Sequence, residues 1–292
     1  MLTQILFNSV ISALLLSLVA IGFNLIFNAT KVFHLAHGAL YVCAVYGVYG
    51  FNQVLSGGMS VGVSVVFSLA LVSVLVVIVE YLVYRPLFIK NVNPTISLIS
   101  SLGVYLLTVN LITFFFGNES ISLNNSFSIV VSNEYFKMTE ADLVHFVFSI
   151  ILIVAVLLFS KTKYYTHIRA ITDSYEVAEK FGINVQRTRL IALLAGTVLV
   201  GIAGIMKGYE IAIEPNMGLT IVLTASVAVI VGGVGSLRGT IIACFVIALI
   251  ENYSVKFISA QWKEMLTYML LIIVLVFYQQ GLISVKQRIE TR

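Results

Sequence analysis

Charge is what this chain has least of. Only 10% of its 292 residues are Asp, Glu, Lys or Arg, against about 25% in an ordinary soluble domain. With 60% hydrophobic residues and a mean hydropathy of +1.04, it has too little polar surface to stay in water and reads as a polytopic membrane protein. Cysteine is nearly absent. Cys43 and Cys244 both lie inside apolar runs, which fits small core residues and offers no disulfide framework or metal site. No Gly-Lys dipeptide occurs anywhere, so a Walker A phosphate loop is excluded. There is no His-Glu-x-x-His, no Gly-x-Ser-x-Gly and no pair of intramembrane aspartates, so hydrolytic chemistry by this chain is not expected. The net charge of +4 does not point to nucleic acid, because basic residues of membrane proteins sort to cytoplasmic loops. The N-terminus lacks the basic region of a signal peptide, and its apolar run is too long for one, so a retained first span is expected.

What is present is a series of long apolar runs. About 20 such residues cross a bilayer as a helix, the only open-chain form that satisfies its own backbone in lipid. Candidate spans lie near 5–28, 33–55, 60–84, 94–116, 143–160, 189–209, 217–235, 239–255 and 263–280. The expected fold is an all-α membrane protein, a polytopic bundle of eight to nine transmembrane helices in one domain over residues 1–292. Because 217–235 and 239–255 are short and glycine-broken, eight full spans plus a re-entrant piece is the alternative. No internal repeat and no low-complexity tract is visible.

Taken over alternate loops, 13 of the 17 basic residues fall on one side, leaving Lys137, Lys207, Lys256 and Lys263 on the other. The positive-inside rule then places loop 160–188 and the C-terminus in the cytoplasm and the N-terminus outside. Loop 117–142 falls outside. Its "SFSIVV" alternation suggests a short strand or hairpin, either facing a soluble partner or serving as a solvated connector.

One cytoplasmic stretch, "RAITDSYEVAEKFGINVQR", carries Arg169, Asp173, Glu176, Glu179, Lys180 and Arg187. Asp173 and Glu176 fit an N-cap and its reciprocal partner, and Gly182 fits the position after the helix end. The helix between them has about two turns. Tyr175, Ala178 and Phe181 fall near one face. Two turns are not stable alone, so the helix needs a docking surface: the bilayer or a cytoplasmic protein.

Several other residues bear on chemistry. His34 and His37 at i and i+3 share a face if helical, but two ligands rarely hold a metal. His37 is expected to hydrogen-bond within the bundle beside Gly38, whose small size lets helices approach; a place near a substrate path is the weaker alternative. Gly232, Gly233, Gly235 and Gly239 either break a helix, which in a transporter marks the pathway, or permit close packing. Arg238 fits a cytoplasmic turn. Glu251, inside an apolar run, is a functional candidate by default, with Asn252 and Tyr253 as nearby partners. Glu80 is expected at the interface.

The stretch that begins at Arg169-Ala170 and continues to Gly182-Ile183-Asn184 resembles the coupling region of bacterial ABC importer permeases of the branched-chain amino acid type. "GFNLIFNATKVFHLAHGALYVCAVYG", "EPNMGLTIVLTASVAVIVGGVGSLRGTIIACFVIALIEN" and the closing "LLIIVLVFYQQGLI" are similar to that family in the same order. His34, where the family usually has Asn, and Gln279, where it often has Pro, depart from it. The resemblance implies a permease of the bacterial inner membrane. It would be driven by two ATPase subunits, paired with a second permease and fed by an extracytoplasmic binding protein, with no nucleic acid involved. ATP and Mg would be bound by the partners, and no cofactor by this chain. Arg169, Ala170, Tyr175, Glu176, Ala178, Phe181, Gly182 and Ile183 would contact the ATPase. His37, Gly38, Gly232, Gly233, Gly235 and Glu251 would be pathway or packing residues. Urea, amides and other small solutes are alternative cargo, and an ion-coupled carrier or a non-catalytic membrane scaffold is the alternative of another class.

Overall fold

The computed structural model describes residues 2–54, 61–123, 129–133, 136–257, 259 and 262–278. Gln279, Lys286, Arg288, Arg292 and the first half of "SFSIVV" lie outside them. Each expected span holds a helix: α1 (Leu2–Thr30), α2 (Ala36–Val54), α3 (Val61–Val79), α5 (Pro94–Phe116), α6 (Glu140–Phe159), α9 (Val185–Glu210), α10 (Met217–Gly232), α11 (Leu237–Ser254) and α12 (Lys263–Phe277). A π-helical turn at Glu80–Tyr84 joins α3 to the short α4 (Arg85–Ile89). Pro86 cannot donate to the helical ladder, which gives the interruption its local cause. Among the described residues, six helices, counting Val61–Ile89 as one, are long and apolar enough to cross a membrane. Helices α2, α10 and α12 are shorter or less apolar.

Helix α1 is apolar all round because it is the core. Its apolar window is 78% buried, against 22% for α3, α5 and α6, whose outward faces carry the exposed Leu, Ile, Val and Phe that suit lipid. A hairpin of β1 (Ile129–Asn133) and β2 (Phe136–Thr139) lies at one end of the bundle. The two short helices α7 (Lys163–Asp173) and α8 (Tyr175–Lys180) lie at the other. Of the strand expected from the alternation, the described residues hold Ile129–Asn133.

The second span is only partly helical. After α1 the chain turns at Lys31 (φ 56°) and runs back along α1 without helical structure. Phe33 packs on Phe23, with ring centroids 5.1 Å apart. His37 Nε2 lies 3.2 Å from Val19 O, so α2 starts about 16 Å back along α1. The non-helical backbone is buried in protein, as such backbone must be: Val32 N–H bonds Thr30 Oγ1 and Ala36 N–H bonds Ser101 Oγ. After α9 the same thing happens with opposite sense. Residues 211–216 are non-helical, pinned by the Ile121–Ile213 backbone pair and the Tyr46 hydroxyl. Helix α10 then starts beside the start of α2 and runs toward the α8 end.

These two half-helices belong to an inverted repeat that the sequence does not reveal. A Cβ on Gly22 would sit 2.8 Å from Gly196 O, and one on Gly196 would sit 2.6 Å from Gly22 O. Gly38 and Gly218 show the same reciprocity at 2.1 and 2.3 Å. Helix α1 packs on α10 and α11 as α9 packs on α2 and α3, and α2 packs on α3 and α5 as α10 packs on α11 and α12, the matched pairing that a pseudo-two-fold axis gives. It relates α1, α2, α3 and α5 to α9, α10, α11 and α12. Both contacts are backbone on backbone, so only glycine fits at these crossings.

Candidate functional site

The charged segment folds as two helices with a break. Ser174 is extended (φ −158°, ψ 122°), and its Oγ accepts from Val177 N at 3.4 Å. Ser174 is therefore the N-cap, and Asp173 is the last residue of α7. The expected Asp173–Glu176 cap does not form, because the turn needs the extended residue one position later. Gly182 (φ 80°) follows the helix end, and Ile183 N–H reaches Ala178 O at 3.1 Å, as a Schellman-type close requires.

The break also turns the expected face. Ala178 is buried and Tyr175 half-buried, but Phe181 is 82% exposed. Ala170 and Ile183 pack inward; Arg169, Glu176 and Gly182 are exposed. The outer surface pairs Phe181 with Val177, which is 50% exposed and one turn away. Of this pair, the sequence reading named Phe181 and not Val177.

Three contacts tie this segment to the bundle. Thr172 Oγ1 donates to Asn28 O at 2.9 Å, and the Tyr175 hydroxyl donates to Ala29 O at 3.4 Å, both on the last turn of α1. The Tyr175 ring meets Phe88 of α4 edge-on at 5.0 Å. Burial pushes the Tyr175 phenol up to about 12, opposed by the charge of Arg189. Arg189 in turn lies over Phe88 at 4.0 Å, a cation–π distance. Its Nη2 stands 3.4 Å from Glu80 Oε1, longer than a tight charge-assisted bond of about 2.8 Å. Both ions are buried. Sequence reading put Glu80 at the interface and gave Arg189 as the first residue of the span 189–209. They are 109 positions apart, and no local signal joins them.

The histidines sit just behind this joint. His34 lies in the non-helical segment before α2, where a turn bond from His37 N–H to its carbonyl keeps the two ring centroids 6.0 Å apart. Its Nδ1 is 2.8 Å from the Tyr84 hydroxyl, which also donates to Ser101 Oγ at 3.1 Å. The π-helical turn makes this possible by burying both Glu80 and Tyr84. Among the described residues no group of three or more His, Cys, Asp or Glu could hold a metal. Gly232 and Gly239 touch backbone to backbone, while Gly233 and Gly235 take φ of 99° and 87°. These glycines make the reversal between α10 and α11, and Asn24 Oδ1 accepts from Gly235 N there. The broken helix lies instead at 211–216.

At the hairpin end, α1, α2, α9, α10, α11 and α12 line a cavity of about 340 Å³. Glu251 faces it, as do Lys207, Lys263, Thr220 and Thr224. Thr267 of α12, rather than Asn252 or Tyr253, satisfies Glu251, donating to Oε1 at 2.5 Å. Asn252 bonds Ala248 O.

Residues 5–275 match the family described as branched-chain amino acid transport system / permease component. The chain belongs to this family. It is 24% identical over 294 residues to the high-affinity branched-chain amino acid transport system permease protein LivH of Escherichia coli, covering 96% of this chain and 95% of that one. Against the permease protein BraD of Pseudomonas aeruginosa it is 22% identical, covering 92% and 91%. A shorter match, 30% identical over 43% of this chain and 36% of the relative, is to the xylose transport system permease protein XylH of Haemophilus influenzae. The chain is thus a membrane-embedded permease subunit of the ABC type, and members of its family are permease components rather than enzymes.

Proposed function

We propose that this permease moves branched-chain amino acids inward across the bacterial plasma membrane, driven by separate ATPase subunits that grip α8. The observation that carries the reading is the exposed Val177–Phe181 pair on a helix tied to the end of α1 by Thr172 and Tyr175. An apolar pair ringed by Arg169, Glu176, Glu179 and Lys180 has the composition of a protein contact. Six residues of helix hold their shape only against a support, here the bundle itself. In this reading the α8 end is cytoplasmic and the hairpin end faces outside, toward a substrate-binding protein, as the distribution of Lys and Arg favours. A second permease completes the pore, and ATP and Mg belong to the ATPases. Coupling then consists of two bundle states that a displaced α8 favours differently.

The test is co-purification. The tagged permease is solubilised gently, and its partners and their ATP hydrolysis are measured. Phe181→Asp and Val177→Asp should release the ATPases and leave the permease folded. Full retention of the ATPases by the double variant would refute the docking role of α8.

A further inference from the structure

The cavity at the hairpin end has walls of two kinds. Leu16 of α1 and Ile221 of α10 give it an apolar side. Glu251 of α11 and Glu264 and Lys263 of α12 give it two carboxylates and an ammonium, and Thr220 and Thr224 of α10, one turn apart, add hydroxyls. The bond from Thr267 fixes the Glu251 carboxylate against α12. The other cation, Lys207, is engaged by Glu210 at 2.9 Å, whereas Lys263 forms no ion pair among the described residues. The non-helical residues Ile211 and Ile213 complete the lining, so the cavity lies where the second broken span enters the bundle, a usual place for a transporter's ligand. Its 340 Å³ is at the small end of the roughly 300–1,000 Å³ range of ligand pockets. That size suits one amino acid rather than a peptide.

We infer that this cavity binds the zwitterion of a free branched-chain amino acid. Glu251 takes the ammonium, Lys263 takes the carboxylate, and Leu16 and Ile221 take the side chain. A neutral sugar or amide would have to strip water from both charges without pairing either, which opposes its binding. The inference rests on the permease reading above and adds a ligand site within this single chain.

Trp262, the single tryptophan of the chain, caps α12 next to Lys263 and reports on the site. L-Leucine is titrated into the purified full-length permease while tryptophan fluorescence is followed. Isocaproate, which lacks the ammonium, isoamylamine, which lacks the carboxylate, and xylose are compared. The expected result is a saturable change with leucine, each one-sided analogue binding about tenfold more weakly, and none with xylose. Glu251→Gln, which can still accept from Thr267, should weaken leucine about tenfold and leave isocaproate unchanged. Lys263→Gln should weaken leucine and spare isoamylamine. The analogue series on the unaltered protein needs no variant to fold. If the assembled importer takes up leucine while neither leucine nor either substitution changes the signal or the uptake, the site is overturned and the transport function stands. If it takes up xylose and not leucine, the cargo assignment falls first and the site with it.

Discussion

Arg189 stands seven residues before Gly196 on α9, and Leu15 stands seven residues before Gly22 on α1. The two glycines meet where α1 crosses α9, the two helices whose packing partners match pair for pair, so Arg189 and Leu15 occupy related places at opposite ends of the bundle. Arg189 fills its place with a guanidinium pressed between Phe88 and Glu80. Leu15 leaves its place open, as part of the cavity wall. One scaffold thus carries a plugged end joined to α8 and a hollow end lined with charge. Their difference comes from a few side chains, while the backbone arrangement is shared.

The largest expected effect tests the plug. Arg189→Met leaves Glu80 buried without its counter-ion, which should cost about 3–5 kcal/mol, while the double change with Glu80→Leu should recover most of the loss. Thermal unfolding of the purified permease measures both. Equal losses in the single and double variants would mean that the ion pair does not hold this end.

The shared scaffold comes next. Gly38→Ala forces a methyl against the Gly218 carbonyl, and backbone cannot yield as a side chain can. A loss near the upper end of the roughly 1–3 kcal/mol range for overpacking is expected. Gly218→Ala should lose a similar amount, and the double variant less than the sum, because both methyls enter one contact. Additive losses would mean that the two glycines do not share one contact at this crossing.

The smallest effect belongs to Tyr175. Its phenol is raised from 10.0 to about 12 in the folded protein. The burial of the neutral phenol therefore stabilises α8 docking fully below pH 10, and that contribution is lost as pH rises toward 12. Hydrogen exchange in α8 should accelerate over that window in the native protein. The part of the change due to the phenol should vanish in Tyr175→Phe.

A helix in each of the nine apolar runs was legible because such runs satisfy their own backbone as helices in lipid, although, among the described residues, six of these helices are long and apolar enough to cross a membrane. The interruptions at 31–35 and 211–216 were not legible. Val32, Phe33 and Ile213 are as apolar as their helical neighbours, and they leave the helix because tertiary partners take up their backbone. The repeat was hidden for a related reason: the axis demands only glycine at four positions, and the rest of each half answers to lipid or to different contents. On α8, Gly182 was readable from its chemistry. The cap was misplaced by one residue because Asp173 and Ser174 are both good caps, and only the extended backbone of Ser174 chooses between them. Phe181, as the C-cap of α8, stands off the face that Tyr175 and Ala178 bury. Glu80 and Arg189 needed the fold to meet, and Lys263 joined Glu251 only once α12 packed on α11.

The Gly22–Gly196 crossing is, in mechanical terms, a fulcrum with unequal arms. From Gly22 to Thr30 at the α8 end, α1 runs about 12 Å, and from Gly22 to Leu2 about 30 Å. A rock of α1 about that bare backbone contact moves its far tip roughly two and a half times as far as the tip that Tyr175 and Thr172 hold. An ångström of travel delivered at the short arm reaches Ser12, Leu15 and Leu16, which wall the cavity roughly 9–15 Å from the pivot, at about its original size, and grows only toward Leu2.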